Sequence, residues 1–412
     1  MRRLPTSLLA FLMLLSSIIA QATDLYVSPN GSDTNPGTKD KPLATIMMAL
    51  RKARELRRLH DASISNGIHI ILTNGTYQLY EPIFIRPEDT GTATSPTWIE
   101  AAPNEKPVIS GGMTITNWYQ PKQKIAGLPS TAQGKVWVAD LSAPNGQLPA
   151  FRQLWINNKK AIRARDRNAD SMNRILSWNH VTEECWIPTP ATPDLRNASG
   201  IEMFIHQWWA VATLRIKKME VHGDSAKLSF YQPESKIQSE HPWPAPWESK
   251  ETGNSAFYLT NAIQLLDEPG EWFLDANTHK LYYWPHNGED LRTATVTAPL
   301  LETLVCTEGL IDHPVSYISF NGISFQHTGW LRPSQQGHVA LQAGMYLLDA
   351  YKLKTPGTPD KAGLENQAWI GRQPAAVEAS FANHISFTNC RFEHLAATGL
   401  DLKKATNHDE II

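Results

Sequence analysis

The hydrophobic pattern changes character along the chain, and its most regular part comes last. Beyond about residue 300, apolar positions fall in short alternating runs with Gly and Asn between them. Ile318-Ser319-Phe320 followed by Phe325-Gln326-His327 is echoed by Ile385-Ser386-Phe387 followed by Phe392-Glu393-His394 in the same internal register. Asn383-His384-Ile385-Ser386-Phe387 is echoed 24 residues later by Asn407-His408-Asp409-Glu410-Ile411. A fixed period in the twenties, made of short β-prone runs with corner residues, predicts stacked β coils. One coil cannot bury its inward row alone, so each needs neighbours above and below. Stacking at about 4.7 to 4.9 Å places equivalent residues of successive coils in ladders.

Earlier in the chain the period differs. Leu43, Ile46, Met47, Leu50, Ala53, Leu56 and Leu59 recur at steps of three and four, which predicts an amphipathic helix over 43–59. Its basic residues Arg51, Lys52, Arg54, Arg57 and Arg58 read as a solvated face rather than a nucleic-acid site. Alternating runs at 68–72, 83–85, 97–100 and 107–112 predict the strands of the first coils. Between about 113 and 299 the coil phrase disappears in favour of hairpins. One pairs 154–156 with 161–165 around Asn157-Asn158, and another pairs 271–275 with 280–284. This predicts an inserted antiparallel β domain, sandwich-like, between 23–112 and 300–412.

Eleven of the 14 tryptophans lie in that insertion. Most are expected in its core, where large aromatics fill space. Trp208, Trp209, Trp243 and Trp247 are candidate platforms for a sugar ring, the last two in the Pro-rich loop His241-Pro242-Trp243-Pro244-Ala245-Pro246-Trp247, where a core role is harder to arrange. Arg163, Arg165 and Arg167 alternate along one predicted strand. They suit forked contact with a uronate carboxylate, or equally a strand edge protected by charge.

Composition and charge narrow the function mainly by exclusion. A net charge of −2 over 412 residues gives no electrostatic case for nucleic acid or an anionic membrane. Cys185, Cys306 and Cys390 lack CxxC spacing and suggest neither a disulfide framework nor a zinc site, and the odd count leaves at least one thiol unpaired. HExxH, G-x-S-x-G, P-loop and dinucleotide signatures are missing, so metalloprotease, serine hydrolase and nucleotide chemistries have no support. Residues 1–22 have the make-up of a signal peptide: Arg2 and Arg3, an apolar run over 8–20, and Ala20-Gln21-Ala22 as a cleavage site. That run is shorter than the roughly 20 residues of a membrane span. Cleavage near Ala22 and export to the periplasm or medium are expected, as a monomer.

The phrases Ile318-Ser319-Phe320-Asn321-Gly322-Ile323-Ser324-Phe325 and Asn389-Cys390-Arg391-Phe392-Glu393-His394-Leu395 with Thr398-Gly399-Leu400 resemble coils of right-handed parallel β-helix proteins of the pectin-lyase-like superfamily. Arg152-Gln153-Leu154-Trp155-Ile156-Asn157 with Ala161-Ile162-Arg163-Ala164-Arg165, and Pro269-Gly270-Glu271-Trp272-Phe273-Leu274-Asp275 with Leu281-Tyr282-Tyr283, are similar to secreted bacterial glycoside hydrolases of family 141. The resemblance implies an all-β chain, a right-handed parallel β-helix closed at its start by the 43–59 helix. It also implies a polysaccharide or oligosaccharide substrate of plant cell-wall type. Such motifs identify a scaffold better than a substrate.

Candidate chemistry follows from the ladders. Aligning the last coils sets Val377 over Leu400, pointing inward, and Glu378 over Asp401, pointing outward into a cleft. Two carboxylates so placed suit the acid and the nucleophile or base of glycoside hydrolysis, with about 5 to 5.5 Å predicting retention and about 6.5 to 9.5 Å inversion. A solvated strand face or a calcium site would use the same residue types. His327 and His394 share a ladder position, able to bind sugar hydroxyls or to brace a corner. Trp330 and Trp369 bound a long excursion over 330–373 and are candidate lid or wall aromatics. No cofactor is required by the hydrolase reading. A polysaccharide lyase would want calcium and a Lys or Arg base, and a non-catalytic glycan-binding scaffold would want neither. Asn407 to the end begins a coil without closing it, and the resemblance implies that the catalytic acids of such hydrolases lie in later coils, so the chain reads as incomplete and its own activity as open.

Overall fold

The computed structural model describes residues 22–142, 150–167, 171–192, 194–240, 246–342, 344–349, 353–354, 358–359 and 370–411. Residues 1–21 of the expected signal segment, Trp243 and Trp369 lie outside these.

Three parallel sheets, visited in rotation, organise the chain. The first holds Thr23–Val27, Ile68–Leu72, Thr97–Ala101, Val315–Asn321, Ala382–Thr388 and Glu410–Ile411. The second holds Gly75–Gln78, Pro107–Ser110, Ser324–Gln326 and Arg391–Glu393, and the third Ile83–Ile85, Val305–Glu308, Ala375–Ser380 and Thr398–Leu402. Every neighbouring pair within them is parallel and in register.

Alternation along each short strand turns one side chain in two toward a shared interior, and register stacks those side chains into columns. Leu25, Ile70, Ile99, Phe320 and Phe387 form one column, Tyr77, Ile109, Phe325 and Phe392 a second, and Ile83, Val305, Val377 and Leu400 a third. Phe320 and Phe387 stack with centroids 5.0 Å apart, and Phe325 and Phe392 at 5.1 Å. Each fully buried side chain of this size stabilises the stack by about 1.5–3 kcal/mol.

The helix runs over Ile46–Arg58, shorter at both ends than the apolar spacing suggests. Its start is set by Thr45, whose hydroxyl accepts from the Met48 N–H and is itself held by Asp33. Leu43 therefore stays extended, bridged to Val27. Ile46, Ala49, Leu50 and Ala53 are buried in the same core as the coil columns. The basic face is only partly solvated. Arg54 makes two 2.9 Å bonds to the buried Asp89, and Arg57 reaches the Ser95 carbonyl and Thr97 hydroxyl, which ties the helix to the next coil.

The rotation is interrupted twice, each time between a second-sheet and a third-sheet strand. The first excursion, 111–304, builds a seven-stranded antiparallel sheet and two four-stranded sheets around two hydrophobic clusters, three sheets where a sandwich has two. The hairpin at Asn157-Asn158 is present, with both residues in the left-handed region, but Trp155–Ile156 pairs with Lys159–Lys160. Ile162–Arg163 instead runs parallel to Glu271–Asp275. The second excursion, 327–374, carries the Arg332–Gln336 helix and docks on the first through reciprocal Thr213 and His338 backbone bonds of 2.8 Å. No helix among the described residues is long and apolar enough to cross a membrane.

Candidate functional site

The outward row of the third sheet reads Phe84, Cys306, Glu378, Asp401, one residue per coil. Both excursions rise from the corner between the second sheet and this one, and the second of them lines a cavity beside this row. Glu378 and Asp401 are in-register partners, as the repeat alignment predicts. Lys403, two residues beyond Asp401 and hence on the same face, donates to Glu378 Oε2 at 2.6 Å, and the Ala375 N–H reaches Oε1 at 3.2 Å. Burial, followed by the Glu378 carboxylate, pushes the Cys306 thiol up, which disfavours its thiolate.

A cavity of about 350 Å³ opens on Glu378 and Lys403, with Trp330, Arg332, Tyr346, Arg372 and Glu302 among its lining. Glu302 accepts the Leu331 N–H at 2.7 Å and so fixes the start of the second excursion. The Arg332 guanidinium lies 4.4 Å over the Tyr346 ring, and Trp330 packs edge-on against His338 at 4.9 Å. The result is an aromatic wall facing a carboxylate and an ammonium. Such a lining offers a sugar mainly charged hydrogen-bond partners, set against packed aromatic rings.

The remaining expected site residues separate. Trp330 lines the cavity. His327 and His394 stack at 5.5 Å, each with a left-handed backbone at the corner between sheets. His327 is buried, 3.0 Å from the Ser110 hydroxyl and edge-on to Trp155, and burial with the neighbouring His394 pushes it down to about 4. It is packed rather than presented, and neither imidazole lines the cavity.

Arg163 corrects the uronate expectation. Its guanidinium is buried against Glu202 at 3.0 Å, which Arg152 and the Ser334 hydroxyl also meet, each at 2.5 Å. Burial pushes it down to about 10. Ser334 belongs to the second excursion, so this cluster fastens the cavity wall to the insertion. Arg165 lies 5.3 Å over the Tyr258 ring. Trp247 is half-buried beside Trp208, away from the ladder.

Lys403 was legible in the alternation of its strand, since Asp401 and Lys403 share a face. Arg332, Tyr346 and Arg372 were not, because the excursion has no repeat to align them. A larger cavity, about 720 Å³, lies against the seven-stranded sheet and is lined by Asp166, Asn173, Phe257 and Gln264 among others. Its Asp166, pushed up to about 6 by burial, accepts from the Leu259 N–H at 2.7 Å and from Asn173 at 3.0 Å. Both bonds hold neighbouring strands, and no registered acid faces it, so size alone does not move the candidate site there. No group of three or more His, Cys, Asp or Glu side chains is arranged for a metal ion among the described residues.

Residues 134–286, within the first excursion, match the GH141 insertion domain family. A solved glycoside hydrolase superposes with a TM-score of 0.86 and 47% identity, over 93% of this chain and 64% of its own. The chain resembles the glycoside hydrolases of family 141. Shorter likenesses are to curated proteins, among them a pectate lyase. Pectate lyase PEL9 of Emericella nidulans is 28% identical over 163 residues, 39% of this chain and 34% of the relative. The uncharacterized protein YwoF of Bacillus subtilis (strain 168) is 32% identical over 128 residues, 31% of this chain and 24% of the relative. The family-141-like chain thus spans about a quarter to a third of these curated relatives and 64% of the solved one.

Proposed function

We propose that the three-sheet stack is a right-handed parallel β-helix, the hand that parallel crossovers adopt almost without exception, and that it serves an exported glycoside hydrolase of complex, plant cell-wall type polysaccharide. The observation that carries the reading is the registered pair Glu378 and Asp401, of which Glu378 lines the cavity with Trp330, Arg332 and Lys403 while Asp401 stands one coil along, outside its lining. Glu378, met by Lys403, suits the nucleophile, or the base that takes a proton from water. Asp401 suits the acid that protonates the departing glycosidic oxygen. One bond, between the anomeric carbon and that oxygen, breaks, and the anomeric carbon gains either the Glu378 carboxylate or water. The test is release of reducing sugar from plant cell-wall polysaccharides by the full chain. Glu378→Gln and Asp401→Asn are each expected to lower it by about a hundredfold or more with substrate affinity preserved. Undiminished release by both variants overturns the assignment.

Lys403 favours one second reading. A lysine beside the substrate cavity supplies the base of a β-eliminating lyase, and a pectate lyase is among the relatives. The ladder offers two carboxylates, fewer than the six to eight oxygens calcium gathers, so no step is drawn through that ion. Lyase action produces an unsaturated product that absorbs in the ultraviolet, and hydrolysis does not. Absorbance during digestion of pectic substrate separates the two.

A further inference from the structure

A hairpin tip in the insertion carries a feature that local structure does not call for. Gln207 pairs with Ala210, so Trp208 and Trp209 are the two central residues of the loop joining Glu202–Gln207 to Ala210–His222. Such positions favour Asn, Gly and Asp, which accept tight-turn backbones cheaply. Here two indoles stand there, 69% and 56% exposed. Single exposed apolar residues are ordinary, but adjacent indoles on a projecting tip are not.

The tip is also braced. The Trp247 ring lies 5.3 Å from that of Trp208, tilted by 32°. Trp247 is held from behind: its Nε1 donates to the Gly253 carbonyl at 2.9 Å, its N–H to the Ser255 hydroxyl at 3.0 Å, and its carbonyl accepts the Ser255 N–H at 3.0 Å. A fixed indole behind Trp208 presents the outer ring face in a set orientation, which lowers the ordering cost of binding.

We propose that Trp208 and Trp209, backed by Trp247, form a non-catalytic platform for a polysaccharide chain whose rings show an all-C–H face, as β-linked glucose- or xylose-configured polymers do. Size selects this occupant. Two indoles offer about 300–500 Å², short of the roughly 1,000 Å² a specific protein interface needs, and matched to one or two sugar rings. The adjoining His206, Glu248, Lys250 and Glu251 are polar, with Glu248, Lys250 and Glu251 exposed, which suits a sugar's hydroxyl rim and opposes an acyl-chain surface. The proposal is independent of Glu378 and Asp401, because it requires binding and no turnover.

The experiment is native affinity electrophoresis of the full chain through gels containing soluble β-glucan or xylan, with vesicle co-sedimentation and analytical ultracentrifugation alongside. Trp208→Ala/Trp209→Ala, at exposed positions, is expected to reduce retardation by about tenfold or more, with Trp208→Phe/Trp209→Phe retaining part of it. Thermal melting of the alanine variant should match the parent. Retardation that persists unchanged in the alanine variant, or none by the parent on either polymer, overturns the platform. So does loss, in that variant, of parent binding to phosphatidylcholine vesicles or of a parent dimer, because either assigns the tip to a different partner.

Discussion

Glu202 holds the cavity wall to the insertion, and its removal tests whether that wall is part of one folded unit. The residue is 1% exposed and accepts from Arg152, Arg163 and Ser334, while Arg152 also donates to the Ser334 hydroxyl. Burial alone would push its carboxyl up, but the two guanidinium groups hold it below its usual range. Arg163 is pushed from 12.5 down to about 10 by burial even with Glu202 beside it. Burial therefore opposes the charge on Arg163 even in the intact cluster, and chiefly the Glu202 carboxylate offsets it. Glu202→Gln keeps the shape and deletes the compensating charge, leaving two guanidinium groups uncompensated in a buried site. The expected destabilisation is about 3–5 kcal/mol. Urea unfolding followed by tryptophan fluorescence measures it, since tryptophans are concentrated in the insertion. Limited proteolysis within 331–338 should accelerate in parallel. The triple change Arg152→Met/Arg163→Met/Glu202→Leu should recover much of the loss, because it removes the charges together. A Glu202→Gln variant within about 1 kcal/mol of the parent would refute the reasoning.

Two further outcomes are expected. Phe320→Ala deletes a buried ring stacked on Phe387 and should cost about 3–5 kcal/mol in thermal or urea unfolding, whereas a loss under about 1 kcal/mol would mean that the columns do not carry the stack. Asp166, pushed from 3.8 up to about 6, binds its proton more tightly folded than unfolded. Its favourable contribution is therefore complete below about pH 4 and lost as pH rises through about 6, by up to roughly 3 kcal/mol. The stability difference between parent and Asp166→Asn should shift by that amount from pH 4 to pH 8, and a flat difference would contradict it.

What was legible in the chain divides along the same line as the architecture. Parallel in-register stacking makes residue equivalence a property of sequence alone, so aligning two echoes already set Ile318 beside Ile385, Phe325 beside Phe392, and Glu378 beside Asp401. The helix ends were less legible, because the Thr45 cap and its tie to Asp33 override apolar spacing that continues past them. In the insertion the alternation of Arg163 and Arg165 marked a strand but not its neighbour. A two-residue strand that pairs in parallel with Glu271–Asp275, over a hundred residues away, leaves no local trace. The consequence for Arg163 was a reversal of role, from a side chain offered to a ligand to one consumed by Glu202.

The cavity shows why the site itself falls between the two cases. Its floor, Glu378 on a repeating strand and Lys403 one residue past the end of the next, obeys their alternation. Its wall, Trp330, Arg332 and Tyr346, comes from an excursion inserted at one corner of one coil, where neither period nor register applies. Both excursions leave from that same corner, so the stack can tolerate new walls there without disturbing a single ladder bond. Side chains fixed in the repeats and contacts supplied by insertions can then change independently, which is the arrangement expected of a scaffold whose fold is far more readable than its function.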